Sequence, residues 1–106
     1  MGYAKERGKL EKLSAKVAAL TVYGDKSSAV ITDIYEQYSH TVRILKNKNP
    51  DTFMGLYENE LQEVKEAKRS LKESENEEMR QSNFIKYRDV LANALEKTIE
   101  TSKESV

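Results

Sequence analysis

Apolar residues recur along this chain every three or four positions rather than every second one, the pattern of helices that each bury one face. Over residues 3–23, Leu10, Leu13, Val17 and Leu20 share an arc of about 100°, which makes the first predicted helix a narrow seam. Gly24-Asp25 interrupts the repeat, and Ser27 or Ser28 stands where a second helix, over about 27–47, needs its cap. That helix carries Val30, Ile31, Ile34, Tyr35, Tyr38, Val42, Ile44 and Leu45 over roughly half of its circumference. A surface that wide has to touch at least two neighbours. The β-branched residues Thr21, Val22, Val30, Ile31 and Thr32 admit a β-hairpin through Leu20 to Ile34 as an alternative, but strict alternation is missing and the helical period continues through them.

Asn49-Pro50-Asp51 contains the only proline and divides the chain near its midpoint. Proline lacks the N–H that a helix interior requires and suits the first turn, with Asn49 as cap before it and Asp51 facing the positive end of the dipole. A third helix therefore starts at Pro50 and runs to about residue 72, with Met54, Tyr57, Leu61, Val64 and Leu71 on one face and Phe53 beside them. Gly55 weakens it by about 1 kcal/mol relative to alanine. The wholly polar stretch Lys72–Glu78 holds Ser74 and Glu77 in a capping-box spacing and is read as a turn. A single helix from 50 to 102 is the competing reading, since no glycine or proline enforces the break. The fourth helix, about 75–102, presents Phe84, Tyr87, Leu91, Ala94, Leu95 and Ile99, with a frayed tail over 103–106.

These elements predict an all-α fold, an antiparallel helical bundle of two hairpins in one domain spanning residues 1–106, closed within the chain or completed by a second one. Composition agrees: 34% charged and 38% apolar residues, with four glycines, favour long solvent-facing helices over sheet. The formal charge is zero, yet residues 1–23 carry five basic and two acidic side chains, and residues 51–78 four basic and nine acidic. Such an imbalance fits complementary helix packing or association with another chain better than nucleic-acid binding.

Candidate chemistry is sparse. There is no cysteine, which excludes disulfides, thiolate nucleophiles and sulfur-ligated metals. The longest mostly apolar run, Val17–Tyr23, is too short to span a bilayer and nothing before it reads as a signal peptide, so a cytoplasmic setting is expected. Glu6 stands where an N-myristoylation motif needs Ser or Thr. His40 is the single histidine; with Glu36 four residues earlier it makes half a metal site at most, and the preferred reading is a solvated pair. No phosphate-loop motif occurs. An enzyme, a metal site and a cofactor are therefore not expected.

Three arrangements stand out as candidate functional residues. Lys5, Lys9, Lys12 and Lys16 line one narrow strip of the first helix and could track a phosphate backbone, though without arginine or aromatic partners. Tyr35, Tyr38, Val42 and Leu45 lie on the wide face of the second helix; if the first helix is too narrow to cover them, they form a homodimer interface. Glu60 and Arg88 each intrude into an apolar arc, and with a turn centred near Ser74 they would meet as an ion pair that sets register, Arg88 alternatively reaching a ligand or partner carboxylate. The expected function is a non-enzymatic helical protein–protein interaction module, self-associating, with a nucleic-acid-associated subunit using the lysine strip as the alternative.

Overall fold

The computed structural model describes residues 3–20 and 23–104. Four antiparallel rods form an all-α bundle, and no strand occurs among the described residues. Helix α1 spans Ala4–Ala18 and α2 Asp25–Lys48; α3 (Pro50–Gly55), a π-helical turn over Leu56–Glu60 and α4 (Leu61–Lys72) run end to end as the third rod; α5 spans Glu77–Glu104. The 28 residues of α5 cover about 42 Å at 1.5 Å each, most of the 47 Å length of the molecule.

Cross-bonds fix the directions. Tyr3–Asn49 and Glu6–Lys48 pair the start of α1 with the end of α2. Arg7–Ser102 and the Leu20 carbonyl with Arg88 run α1 against α5. Tyr38 against Ala94 and Thr98, and Tyr23 against Phe84, keep a near-constant offset in sequence, so α2 and α5 run the same way across the core.

The core is complete within one chain. Leu10, Leu13 and Val17 of α1, Ile31, Ile34, Tyr38, Val42 and Leu45 of α2, Phe53, Leu56, Leu61 and Val64 of the third rod, and Phe84, Tyr87, Leu91 and Leu95 of α5 are all essentially solvent-free. The wide apolar half of α2 is thus covered by α1 on one side, the third rod on the other and α5 across the centre. The β-hairpin alternative does not occur through Val30, Ile31 and Thr32, which lie in α2; Thr21 and Val22 lie outside the described residues.

Local starts and stops mostly follow the residues. Asn49 Oδ1 accepts from the Thr52 N–H at 3.4 Å, and Pro50 occupies the first turn behind it. The break between the third and fourth rods falls at 73–76, but its cap is Asn76, whose Oδ1 accepts the Met79 N–H at 2.8 Å, in place of the expected Ser74–Glu77 box. Ser74 instead turns inward: its hydroxyl donates to the Ser70 carbonyl at 3.0 Å and accepts from Asn83 Nδ2 at 2.8 Å. Of the tail expected to fray, residues 103 and 104 continue α5 and 105–106 lie outside the described residues; just before it, Ser102 is buried with its hydroxyl bonded to the Ile99 carbonyl.

The π turn accounts for one misreading. It wraps one extra residue into the third rod, with the Leu61 N–H reaching back to the Leu56 carbonyl, so the buried side chains jump five positions from Leu56 to Leu61. Ahead of it the inward positions are Phe53 and Leu56, not Met54 and Tyr57; Met54 is exposed and Tyr57 half-buried beneath the Lys46 ammonium, 4.2 Å from its ring centre.

Candidate functional site

The residues read as a partner surface on α2 are mostly interior. Tyr38, Val42 and Leu45 have no exposed surface in the folded chain, which differs from the expectation that α1 leaves them open. α1 does not cover this face alone; α5 and the third rod complete it. The Tyr38 hydroxyl lies 3.1 Å from Thr98 Oγ1 and 3.4 Å from the Ala94 carbonyl. Thr98 itself donates to Ala94 at 2.7 Å, which leaves its oxygen free to accept from Tyr38. Burial pushes the Tyr38 phenol well above its ordinary value of 10.0, the bond to Thr98 partly offsetting this and the Glu60 carboxylate adding to it. Tyr35 alone of the four stays half-exposed, with the Lys68 ammonium 4.6 Å from its ring centre.

Glu60 and Arg88 are not partners. Glu60 pairs with Lys97 at 3.2 Å, while Arg88 bonds Asp89 at 3.1 Å and donates to the Leu20 carbonyl at 2.8 Å. Two physical causes separate them. The turn is centred later than Ser74, near residue 76 as the Ser70–Asn83 bond shows, which moves the residue opposite Glu60 about five positions, or roughly 7 Å, along α5. Arg88 also lies on the side of α5 that faces α1. It therefore works as a clasp on the end of the α1 segment rather than a register pair in the second hairpin.

Lys5, Lys9, Lys12 and Lys16 are all exposed, and none forms an ion pair among the described residues. Lys9 borders a shallow groove of about 280 Å³ shared with Asp33, Glu36, Gln37, His40 and Thr41 of α2. The strip thus runs beside carboxylates of its own molecule. His40 and Glu36 point outward there, and no group of three or more His, Asp or Glu side chains among the described residues is arranged to hold a metal ion. No helix of the described residues is long and apolar enough to cross a membrane.

No protein-family model matches the chain, and neither a curated protein nor a solved structure resembles it significantly.

A cluster that the helical periods did not single out lies where α2 begins, α4 ends and α5 begins. Tyr23, Ser28, Thr32, Lys68, Leu71, Lys72, Arg80 and Tyr87 line a cleft of about 380 Å³. Tyr87 is fully buried, and its hydroxyl has no hydrogen-bond partner. Burial raises its phenol well above the ordinary 10.0, with the neighbouring Tyr35 hydroxyl and Glu36 carboxylate adding to the effect. A signal for this cluster does exist in the sequence. Arg80, Phe84, Tyr87 and Leu91 follow spacings of four, three and four, and Leu61, Val64, Lys68 and Leu71 spacings of three, four and three, so cations occupy core-register positions at the same end of two helices.

Proposed function

We propose that the chain is a non-enzymatic interaction module of the cytoplasm that presents helix surfaces to a protein partner, with a second copy of itself as one such partner. The observation that carries this reading is large apolar side chains left outside a core that is already complete: Val30, Met54, Met79 and Ile85 are 41%, 36%, 42% and 42% exposed. Two of them lie close in register. The Glu6–Lys48 and Arg88–Leu20 bonds put Val30 of α2 and Ile85 of α5 beyond the last turn of α1, where that short helix flanks neither neighbour. Exposed apolar side chains past the end of a neighbouring helix favour docking of another chain.

The test is paired. Light scattering over a dilution series reads self-association, and affinity capture from the native host reads other partners, each with the wild type and with Val30→Lys combined with Ile85→Lys. Association or capture that the double variant loses while its circular dichroism is unchanged supports the reading. A strict monomer at high micromolar concentration, together with identical capture by both proteins, overturns it.

The exposure and lack of ion pairing of the four α1 lysines favour one second reading, a nucleic-acid-associated subunit. Binding to a phosphate backbone through them falls steeply with salt, and Lys9→Glu with Lys12→Glu abolishes it. Undetectable polyanion binding at low salt excludes this reading.

A further inference from the structure

Three cations converge on the cleft at the α2 start, and no carboxylate stands among its lining residues. Lys68 and Lys72 come from the last turns of α4, the Lys68 ammonium resting on the Tyr35 ring at 4.6 Å and swinging from it to meet an anion, and Arg80 comes from the first turn of α5. Opposite them α2 offers the hydroxyls of Ser28 and Thr32, with Ser28 in a first turn whose Gly24 cap brings no side chain to the free N–H groups. That end of α2 also carries the positive end of the helix dipole. Tyr87 also lines the cleft, and its hydroxyl, closed off from solvent without a partner, is the second and independent observation: an orphaned buried hydroxyl is costly, and a ligand oxygen that displaces the side chains now covering it would satisfy it.

We propose that this cleft binds a small organic phosphate, its phosphomonoester held by Lys68, Lys72 and Arg80. A phosphomonoester presents three terminal oxygens and close to two negative charges, which matches three cations and several hydroxyl donors better than the two oxygens of a carboxylate do. Tyr23, Leu71 and the ring of Tyr87 supply apolar wall for the organic part, and the volume lies at the small end of ordinary ligand sites. Acidic groups at the helix starts oppose the anion: Asp25 in the first turn of α2 and Glu77 and Glu78 in that of α5, none of them lining the cleft. Glu77 sits 3.6 Å from Arg80 in an exposed pair that a bound phosphate displaces at little cost, and Glu36 acts from the exposed side of α2. The site is separate from Val30 and Ile85 and does not depend on a protein partner.

Titration of phenyl phosphate into the ¹⁵N-labelled protein at low salt tests this, with inorganic phosphate and benzyl alcohol as comparison arms. Saturable shifts are expected at the amides of Tyr23, Ser28, Thr32, Leu71 and Tyr87, tighter for phenyl phosphate than for inorganic phosphate and absent with benzyl alcohol. Lys68→Gln with Lys72→Gln weakens binding by about tenfold or more through lost charge-assisted bonds. Tyr87→Phe, which keeps the ring and the packing, weakens it about fivefold through one lost hydrogen bond. Lys9→Gln with Lys12→Gln leaves it unchanged. Shifts that fail to saturate, that persist in the Lys68/Lys72 variant or that centre on the α1 lysines overturn the site; equal affinity for inorganic phosphate overturns its organic part.

Discussion

The two ends of the bundle are built from similar residues and finished differently. Where α1 starts and α5 ends, the polar groups close on one another: Asn49 donates to the Tyr3 hydroxyl at 3.2 Å while capping α3, Glu6 takes Lys48 at 3.2 Å, Arg7 meets Ser102, and the Tyr3 ring stands edge-on to Phe53 with centroids 5.1 Å apart. At the other end an equivalent aromatic pair, Tyr23 and Phe84 at 5.7 Å, sits beside a cleft lined by cations and an unsatisfied phenol. Burying polar groups is tolerable only when they are bonded. The first end meets that condition internally, and the second leaves room for something else to meet it.

Packing separates the two ends most strongly. Phe53→Ala at the closed end removes a fully buried ring and is expected to cost about 3–5 kcal/mol, whereas Leu71→Ala, half-buried beside the cleft, costs about 1–2 kcal/mol, both read from denaturant unfolding. Equal losses would mean that the cleft end is packed as tightly as the other.

Alkaline pH gives a graded version of the same contrast. Tyr38 and Tyr87 both hold their protons above the ordinary value of 10.0 because burial disfavours the phenolate. A group whose folded value is raised contributes stability that is fully present below the unfolded value and is lost as the pH rises through the folded one. Stability should therefore fall above about pH 10, and Tyr87→Phe should make that fall shallower. A fall of unchanged steepness in the variant would show that Tyr87 ionises as an ordinary tyrosine. Smaller again is Asn49→Ala, which removes a cap and the bond to Tyr3 and should lower stability by about 1 kcal/mol in thermal unfolding.

The parts of this architecture that local chemistry dictates were legible in the chain. Pro50 behind Asn49 marks the third helix start because proline is tolerated there and almost nowhere else in a helix, and the 3.6-residue period named Leu10, Ile34, Phe84 and Leu91 as core. Features that depend on a count carried over distance were not. The π turn after Gly55 has no residue signature, yet it moves burial from Met54 and Tyr57 to Phe53 and Leu56. A turn centred two residues late was enough to part Glu60 from Arg88. The width of the apolar face on α2 was read correctly, but width alone does not say whether neighbours come from the same chain, and here they do.

The candidate site was less legible still. Periodicity ranks Tyr87 as one more core aromatic; only three-dimensional packing reveals that its ring is buried while its hydroxyl is left unbonded, and that Lys68 and Arg80 converge beside it from different helices.

The two ends differ most sharply in a satisfied and an orphaned buried phenol, and equilibrium unfolding of Tyr38→Phe and Tyr87→Phe, without added ligand, measures that difference directly. Tyr38→Phe should cost about 1 kcal/mol because it breaks the bond to Thr98, while Tyr87→Phe should be neutral or stabilising by up to about 1 kcal/mol because it removes a hydroxyl that bonds nothing. A Tyr87→Phe loss equal to or larger than that of Tyr38→Phe would contradict the account.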